Sequence, residues 1–343
     1  MGKKTTIYDI AKALNITAAT VSRALNNNPK ISQDTRNLVL ETALKMNYEQ
    51  NKLALALKSG RSYNVGVIVP RVDSNFFGSV IRGIEEELNQ YGYHVIICQT
   101  HEDPRLENEN IDTLLNAQVD GILISTTSKS TMPNSTIEPF NNILKKNIPL
   151  VFFDRRKEMK GVSSVVINDF EGAYKATMHL IEQGCKRIAH FSGDFELEIY
   201  KDRYLGYKQA LIDSGIPLNE DYVFRAKSSL EEGSRVVKDL LKLNPPPDAI
   251  FSSSDFAALG AIQELKKHHI NIPEDFCVVG FSNEPFTRFM ELPISTIDQS
   301  PLEMGRMAAK VFLEQSDNGR NIKMEKKVIL EPKLIIRKSS LKN

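Results

Sequence analysis

The residues best placed to do chemistry near the start of the chain share one face of a short helix. Helical spacing after Thr17 divides the segment into a polar face (Ala18, Ala19, Ser22, Arg23 and Asn26) and an apolar face (Val21, Ala24 and Leu25). Arginine can donate two parallel hydrogen bonds to guanine, and alanine leaves room or meets a thymine methyl group. The polar face therefore favours a helix that reads the major groove of DNA. From these residues alone, a solvated face on an ordinary helical hairpin is the alternative.

Two further helices would hold this helix in place. Thr6 suits an N-cap, and apolar residues recur at helical spacing over residues 7–14, before a turn of about three to four residues. Ser32 suits the N-cap of a third helix that runs to about Met46. Residues 1–49 thus predict a three-helix domain with a helix-turn-helix motif.

Charge is unevenly distributed along the 343 residues, although the formal net charge is only +1. Residues 1–60 contain nine Lys or Arg and four Asp or Glu, a net charge of +5, which leaves −4 for the remaining 283 residues. A basic head on a slightly acidic body predicts an electrostatic footprint for nucleic acid on the head only. A chain of this length predicts two or three domains.

Composition argues against membrane, metal and disulfide roles. The sequence has no run of about eighteen apolar residues and no apolar secretory core at its start, so we expect a cytoplasmic protein with no membrane partner. The cysteines, Cys98, Cys185 and Cys277, are odd in number and widely spaced. This pattern favours buried free thiols over a disulfide or a metal site.

From residue 64 onward, apolar strands alternate with amphipathic helices. The predicted strands are YNVGVIVP, YHVIIC, GILIST, PLVFFD, RIAHFSG, YVFRA, AIFSSS and CVVGF. Apolar runs separated by helices are typical of parallel sheets covered on both faces. A second series begins at Val165, and a late helix near 302–314 and one closing strand at 328–337 follow it. We therefore expect two doubly wound α/β lobes, joined by several crossovers, with a cleft between them.

An enzyme and a free-standing solute-binding protein are the two alternative functions. Doubly wound folds host many enzymes, but the sequence contains no G-x-G-x-x-G, G-x-S-x-G, H-E-x-x-H or G-x-x-x-x-G-K-S/T motif. His268 and His269 are adjacent and would diverge on a helix. We therefore predict no catalytic residue, no cofactor and no metal ligand. A free-standing solute-binding protein would need a signal peptide and would have no use for residues 1–60.

Over nearly its whole length, the chain resembles the LacI/GalR family of bacterial transcription regulators. The motifs that carry the resemblance are T-I-x-D-I-A at 6–11, T-V-S-R-A-L-N at 20–26 and S-x-x-T-R at 32–36, followed by Tyr48. The resemblance implies base-reading positions at Ala18, Ala19 and Arg23, with further DNA contacts from Thr6, Thr17, Thr20, Ser22 and Asn26.

Residues 50–62 resemble the family's hinge helix and linker, in which a leucine is pushed between base pairs in the minor groove. Leu57 matches that leucine, and Lys58 follows it. Gln50 stands in place of the usual proline and Leu55 in place of a frequent arginine, so an ordinary linker is the alternative.

The body, residues 63–343, resembles the family's effector-binding core, which is similar to periplasmic sugar-binding proteins. The positions that match the effector pocket are Phe76, Phe77, Asp154, Arg203, Ser228, Ser254, Asp255, Ser282, Asn283 and Gln299. Ser228 stands where several members have an aromatic residue, and Ser282 where many have aspartate. Such polar groups suit a polyhydroxylated ligand. Arg203 could instead pair with an acid, and Asp255 could cap the helix that follows it.

The resemblance implies a ligand-responsive repressor of carbohydrate-utilisation genes, with a sugar-like effector bound between the lobes. The implied lobes are residues 63–166 with 299–322, and residues 167–298 with 323–340. A homodimer would bind a pseudo-palindromic operator in double-stranded DNA. The last residues show no heptad run, so we expect a dimer and not a dimer of dimers.

Overall fold

A computed structural model describes residues 5–48, 61–127, 137–195, 197–317 and 325–342. The chain divides into two compact units, Met1–Ser62 and Tyr63–Asn343. We call the first unit the head and the second the body.

The head contains the three helices that the sequence predicts. They are α1 (Ile7–Leu14), α2 (Ala18–Leu25) and α3 (Gln33–Lys45). Each helix begins where a hydroxyl side chain accepts a hydrogen bond from a backbone N–H three residues later, which satisfies one of the free donors of the first turn. Buried aliphatic side chains from all three helices, including Ile10, Val21 and Val39, form one small core.

The body alternates strands and helices, as predicted. The strands are β1 (Asn64–Val69), β2 (His94–Gln99), β3 (Gly121–Ile124), β4 (Leu150–Phe153), β5 (Ser163–Ile167), β6 (Ile188–Ser192), β7 (Val223–Arg225), β8 (Ala249–Ser252), β9 (Cys277–Phe281), β10 (Ser295–Asp298), β11 (Lys327–Leu330) and β12 (Lys333–Ile335). The helices are α4 (Asn75–Asn89), α5 (Pro104–Asn116), α6 (Glu138–Lys145), α7 (Asp169–Glu182), α8 (Glu198–Asp213), α9 (Leu230–Leu240), α10 (Asp255–Lys267), α11 (Phe286–Phe289) and α12 (Pro301–Asp317).

Two six-stranded sheets organise the body into two lobes. The first sheet has the order β11-β5-β4-β3-β1-β2 and is parallel throughout. The second has the order β12-β10-β9-β8-β6-β7, with only β12 antiparallel to its neighbour. The central strands are buried along their whole length because helices cover both faces of each sheet.

The closing segment corrects one prediction. The sequence predicts a single strand over 328–337 in the second lobe, but the structure has two strands in different sheets. Strand β11 pairs with β5 in the first sheet, and β12 pairs with β10 in the second. Pro332 lies between them and has no N–H to donate to a ladder, so the strand is interrupted there. Residues 327–330 therefore belong to the first lobe and not, as expected, to the second.

Helices α4 and α12 cross closely beside the first sheet. A Cβ atom added to Gly83 would collide with the backbone carbonyl of Leu302, and one added to Gly305 would collide with that of Val80. Each glycine therefore makes room for the backbone of the other helix. This contact ties the late helix to the first lobe, far from its neighbours in sequence.

The described residues can also be compared with the expectations of buried free thiols, of no membrane-spanning helix and of no metal site. Cys185 and Cys277 are buried free thiols, whereas Cys98 is only half-buried. Across the described ranges, no helix is both long and apolar enough to cross a membrane. Over the same ranges, no group of three or more His, Cys, Asp or Glu side chains is placed to hold a metal ion.

Candidate DNA-reading helix and ligand cleft

Helix α2 presents its predicted polar face to solvent. Ala19 and Arg23 are exposed, whereas Val21 and Ala24 are buried in the core of the head. Within the part of the chain that the structure describes, the Arg23 guanidinium makes no hydrogen bond or ion pair. The two faces predicted from helical spacing are confirmed except at Ala18, which packs partly against the core, and the arginine is available to an external partner.

The remaining positions with implied DNA contacts surround this face. Ala18, Thr20 and Ser22 are half-buried, while Thr17 and Asn26 are exposed at the two ends of α2. The Asn26 side chain donates to the Ser22 carbonyl at 2.7 Å, which helps to end the helix. Leu57 and Lys58, the implied hinge contacts, lie outside the described residues.

Threonine hydroxyls in the head already act as helix caps. Thr17 Oγ1 accepts a hydrogen bond from the Thr20 N–H at 3.1 Å. In α1, Thr6 and Asp9 form a reciprocal capping box, in which the Thr6 N–H donates to Asp9 Oδ2 at 2.8 Å. Any contact of Thr6, Thr17 or Thr20 with DNA would therefore be additional to a structural role.

The arginine of the S-x-x-T-R motif also has a structural role. Arg36 Nη2 donates to the backbone carbonyls of Asn28 and Ile31 at 3.1 and 3.4 Å. These bonds fix the loop between α2 and α3. They hold the end of the reading helix against the third helix.

A cavity of about 660 Å³, lined by both polar and apolar side chains, lies between the two lobes of the body. Most of its lining residues follow the carboxyl ends of parallel strands from both sheets, which is where open α/β sheets bind ligands. The residues with an implied effector role that line this cleft are Phe76, Phe77, Asp154, Arg203, Ser228, Ser254, Asp255, Ser282 and Gln299.

Asn283 does not line the cleft. Its side chain donates to Asp298 Oδ2 at 3.2 Å and accepts from Arg337 Nη2 at 2.8 Å. Both amide atoms are thus used to join the end of β9 to β10 and to the C-terminal segment. Asn283 supports the wall of the cleft from behind.

Among the lining residues that the sequence analysis did not name, four have polar side chains that matter to the chemistry of the cleft: Arg155, Tyr200, Ser253 and Glu284. Three of them adjoin predicted residues, so a search of the positions just after each strand would have found them. Tyr200 comes from helix α8, and its hydroxyl lies 3.4 Å from Ser228 Oγ. The cleft thus has an aromatic side chain beside the position where several family members place one, but it is supplied by a different helix.

Arg203 is held by a buried ion pair. Its Nε lies 2.7 Å from Asp169 Oδ1, its Nη1 donates to the Ser253 carbonyl at 3.0 Å, and its guanidinium lies 3.6 Å from the centre of the Phe281 ring. Arg203 and Asp169 are only 4% and 6% exposed. The alternative in which Arg203 pairs with an acid is therefore confirmed, and the pair forms part of the cleft wall.

Asp255 does not cap the helix that it begins. Its Oδ1 accepts from the Thr296 hydroxyl at 2.6 Å, and its Oδ2 accepts from the Glu284 N–H at 2.8 Å. The carboxyl group thus joins α10 to the ends of β9 and β10. Burial raises the pKa of Asp255 from 3.8 to about 7, although the two hydrogen bonds oppose this shift.

We expect Asp255→Asn to stabilise the body at alkaline pH. The folded-state pKa lies above the unfolded-state value, so this group's contribution to stability is complete below about pH 4 and is lost as the pH rises through about 7. Asparagine does not ionise, so the variant avoids the free energy that the native protein loses when the buried Asp255 carboxyl group becomes charged. Its free energy of unfolding should therefore be about 2–4 kcal/mol higher than that of the native protein at about pH 8, and no higher near pH 4. Urea denaturation at both pH values measures the difference, and a gain of equal size at both would contradict this origin.

The cleft and the wall behind it also contain unusual backbone conformations. Asp154, Ser282 and Asn283 have φ angles of 60°, 120° and 52°, and each directly follows or closely follows a strand. Positive φ is uncommon for residues with a side chain, and such strain tends to cluster at functional sites. The Ser282 hydroxyl is held there by a hydrogen bond from Gln299 Nε2 at 2.9 Å.

An exposed arginine-bearing helix in a basic head, and a cleft between two parallel-sheet lobes, are features expected of a DNA-binding regulator with a two-lobed body. Family comparisons agree with each part. The model for bacterial regulatory proteins of the lacI family matches residues 6–51, and the model for periplasmic binding proteins and the sugar binding domain of the LacI family matches residues 62–331. The chain belongs to the LacI/GalR family of bacterial transcription regulators. It is a transcription regulator and not an enzyme.

Named relatives resemble the chain over its whole length. It is 33% identical to the HTH-type transcriptional regulator DegA of Bacillus subtilis, over 98% of both chains. It is 34% identical to the HTH-type transcriptional repressor CytR of Escherichia coli, over 98% of this chain and 96% of that protein. A third relative is the repressor PurR of Actinobacillus pleuropneumoniae, which is 30% identical over 97% of this chain and 98% of that protein.

Solved structures share the fold. The lac repressor dimer bound to operator and the anti-inducer ONPF superposes with a TM-score of 0.86 at 21% identity, covering 99% of this chain and 100% of that one. The complex of the transcriptional regulator CelR with cellobiose gives a TM-score of 0.71 at 25% identity, covering 98% and 100%. A LacI family regulator from Enterococcus faecium with bound ribose gives 0.70 at 26% identity, covering 81% and 100%.

Proposed function

We propose that the chain is a repressor of carbohydrate-utilisation genes that responds to a sugar-like effector in the cleft between its lobes. The observation that carries this proposal is the convergence of nine family-matched residues on one cavity of about 660 Å³. Serine hydroxyls, carboxyl groups and an amide suit a ligand whose hydroxyls both donate and accept hydrogen bonds. The cellobiose and ribose in similar structures support a sugar-like ligand.

On the DNA side, a homodimer would place two copies of α2 in successive major grooves of a pseudo-palindromic operator. A helix-turn-helix reads one half-site, so a pair related by two-fold symmetry reads two half-sites about one helical turn or a multiple of it apart. The operator-bound lac repressor is itself a dimer. This function would place the chain in the bacterial cytoplasm, where operator DNA is found.

Effector control would run through the segment that joins head and body. An effector that binds the closed and open lobes with different affinity shifts the balance between them, and a coupling of about 1–3 kcal/mol changes operator affinity by about 5- to 150-fold. Residues 50–62, with Leu57 as the minor-groove wedge and Lys58 beside it, are the segment that we propose responds to this shift.

Operator selection from random duplexes with the full chain tests this function. We expect enrichment of pseudo-palindromes and a change in bound fraction when the selection is repeated with a panel of sugars and nucleobases. Sedimentation of the complex should show two chains for each operator. Absence of sequence preference would contradict the DNA-reading role, and a stable tetramer at micromolar concentration would contradict the dimer. A free solute-binding protein would bind sugars without selecting any duplex.

A further inference from the structure

Every arginine that lines the cleft is already paired with a carboxylate. Arg71 Nη2 lies 2.8 Å from Asp73, Arg155 Nη1 lies 2.6 Å from Glu102, and Arg203 lies 2.7 Å from the buried Asp169. Arg155 is additionally 3.8 Å from Asp154. A phosphate or carboxylate on a ligand would have to displace one of these acids. Each guanidinium in the lining therefore already has a carboxylate partner, with which an anionic group of a ligand would have to compete.

Carboxyl groups remain in excess once these pairs are counted. Asp255, Glu284 and Glu231 line the same cleft. The Asp255 carboxylate is fully buried and accepts only a hydroxyl and a backbone N–H, while the half-buried Glu284 carboxylate makes no hydrogen bond or ion pair within the described ranges. Arg337 acts on Asp255 electrostatically, but its guanidinium bonds Asn283 and Thr287 outside the cleft lining. The one cation that the second lobe contributes to the described lining, Arg203, is paired with Asp169, so the Asp255 and Glu284 side of this wall is acidic.

A buried hydroxyl group in the same wall also has no hydrogen-bond partner among the described residues. Ser253 is 4% exposed and lines the cleft, and its Oγ forms no hydrogen bond with any residue that the structure describes. A buried hydroxyl without a partner loses about 1–3 kcal/mol relative to a satisfied one. Ser228 and Ser254 add two more hydroxyls to this wall. The serine hydroxyls of this wall can therefore hydrogen-bond the hydroxyl groups of a ligand, and its carboxyl groups can bind a positive charge.

We propose that the effector is a polyhydroxylated compound that carries a protonated amine, with the ammonium group beside Glu284 and Asp255 and the hydroxyl groups against Ser253 and its neighbouring serines. This inference rests on the proposed function only in using the same cleft. An ammonium group donates three hydrogen bonds and carries a positive charge. It can therefore form ion pairs with Glu284 and Asp255, which have no cationic partner among the described lining residues. Phosphorylated and carboxylated sugars are disfavoured because their charge meets this excess of carboxylates.

The pKa values of the two carboxyl groups agree with this assignment. Burial raises the pKa of Glu284, and the pKa of Asp255 reaches about 7. Both groups are poorly stabilised as anions in the absence of a cation. A bound ammonium would favour their ionised forms, since an opposite charge within a few ångströms lowers the pKa of a carboxyl group.

The test compares matched ligands on the full-length chain at about pH 7. The series consists of glucose, glucosamine, N-acetylglucosamine, glucose 6-phosphate and 1-amino-1-deoxysorbitol, together with the corresponding galactose and mannose compounds. Thermal shift identifies binders, and calorimetry gives their Kd. We expect the best amine-bearing compound to bind about ten- to a hundredfold more tightly than its neutral counterpart, because charge-assisted hydrogen bonds replace neutral ones. N-acetylation keeps the substituent and removes the charge, so it should abolish the advantage.

Glu284→Gln separates charge from shape. In this variant, the ratio of the Kd of the N-acetyl compound to the Kd of the amine should fall about tenfold. Glu291 is an exposed glutamate outside the cleft, so Glu291→Gln should leave this ratio unchanged. The inference is overturned if phosphorylated or neutral compounds bind most tightly, if Glu284→Gln keeps the full preference, or if no amine-bearing compound binds. Operator selection by the same preparation separates the two proposals. Amine binding without any effect on operator occupancy would contradict only the regulatory function.

Discussion

Replacing Arg23 by alanine is expected to abolish the preference of the chain for its operator while leaving weak, salt-dependent binding to any duplex. Arg23 is the one long cationic side chain on the exposed face of α2, and the described residues offer its guanidinium no internal partner. A bidentate contact with guanine gives about 1–3 kcal/mol of discrimination. A dimer makes this contact twice, so specificity should fall by roughly 30-fold to more than a thousandfold.

Competition between operator and random duplex at moderate salt measures this ratio. Lys45→Ala provides the matched control, because Lys45 is an exposed cation in the last turn of α3 and does not lie on the reading face. The control should weaken binding to both duplexes equally, as loss of a general electrostatic contribution does. An Arg23→Ala protein that keeps its operator preference would place base reading elsewhere in the head.

Replacing Arg203 by alanine is expected to destabilise the body strongly. The substitution leaves the Asp169 carboxylate buried without its partner, and it also removes the contact with the Phe281 ring. Loss of one member of a buried ion pair costs about 3–5 kcal/mol in free energy of unfolding, mainly because the other charge remains desolvated. Urea denaturation followed by circular dichroism measures the loss, and effector binding should weaken as well.

A double variant distinguishes the stranded charge from the lost packing. Arg203→Met with Asp169→Leu removes both charges and keeps much of the volume, so it should recover most of the free energy that Arg203→Ala loses. Arg235→Ala breaks exposed ion pairs on α9 and should change stability by less than about 1 kcal/mol. An Arg203→Ala protein as stable as Arg235→Ala would show that water reaches Asp169.

The head was predicted well because its signals are local. Thr17 and Ser32 each begin a helix through a bond to a residue three positions later, and the faces of α2 follow from spacing alone. Only the role of Arg36 required coordinates, since its bonds to Asn28 and Ile31 cross a loop.

Only part of the cleft was predicted, because its walls are assembled from segments that are distant in the sequence. The sequence indicated polar residues at the ends of strands. It did not indicate that Asp169 would be the acid paired with Arg203, or that Arg337 would bind Asn283, which is 54 positions away in the sequence. Helix α6 and strand β10 were also missed. The two closing strands were merged because no local pattern tells which sheet an edge strand will join.

The placement of β11 and β12 also limits how far the two lobes can separate. Strand β11 ends at Leu330 in the first sheet and β12 begins at Lys333 in the second, so only Glu331 and Pro332 connect the two strands. Consecutive Cα atoms lie about 3.8 Å apart, so these two strand ends stay within about 11 Å of each other in any arrangement of the lobes. Any rotation of one lobe against the other must therefore have its axis close to this two-residue connection.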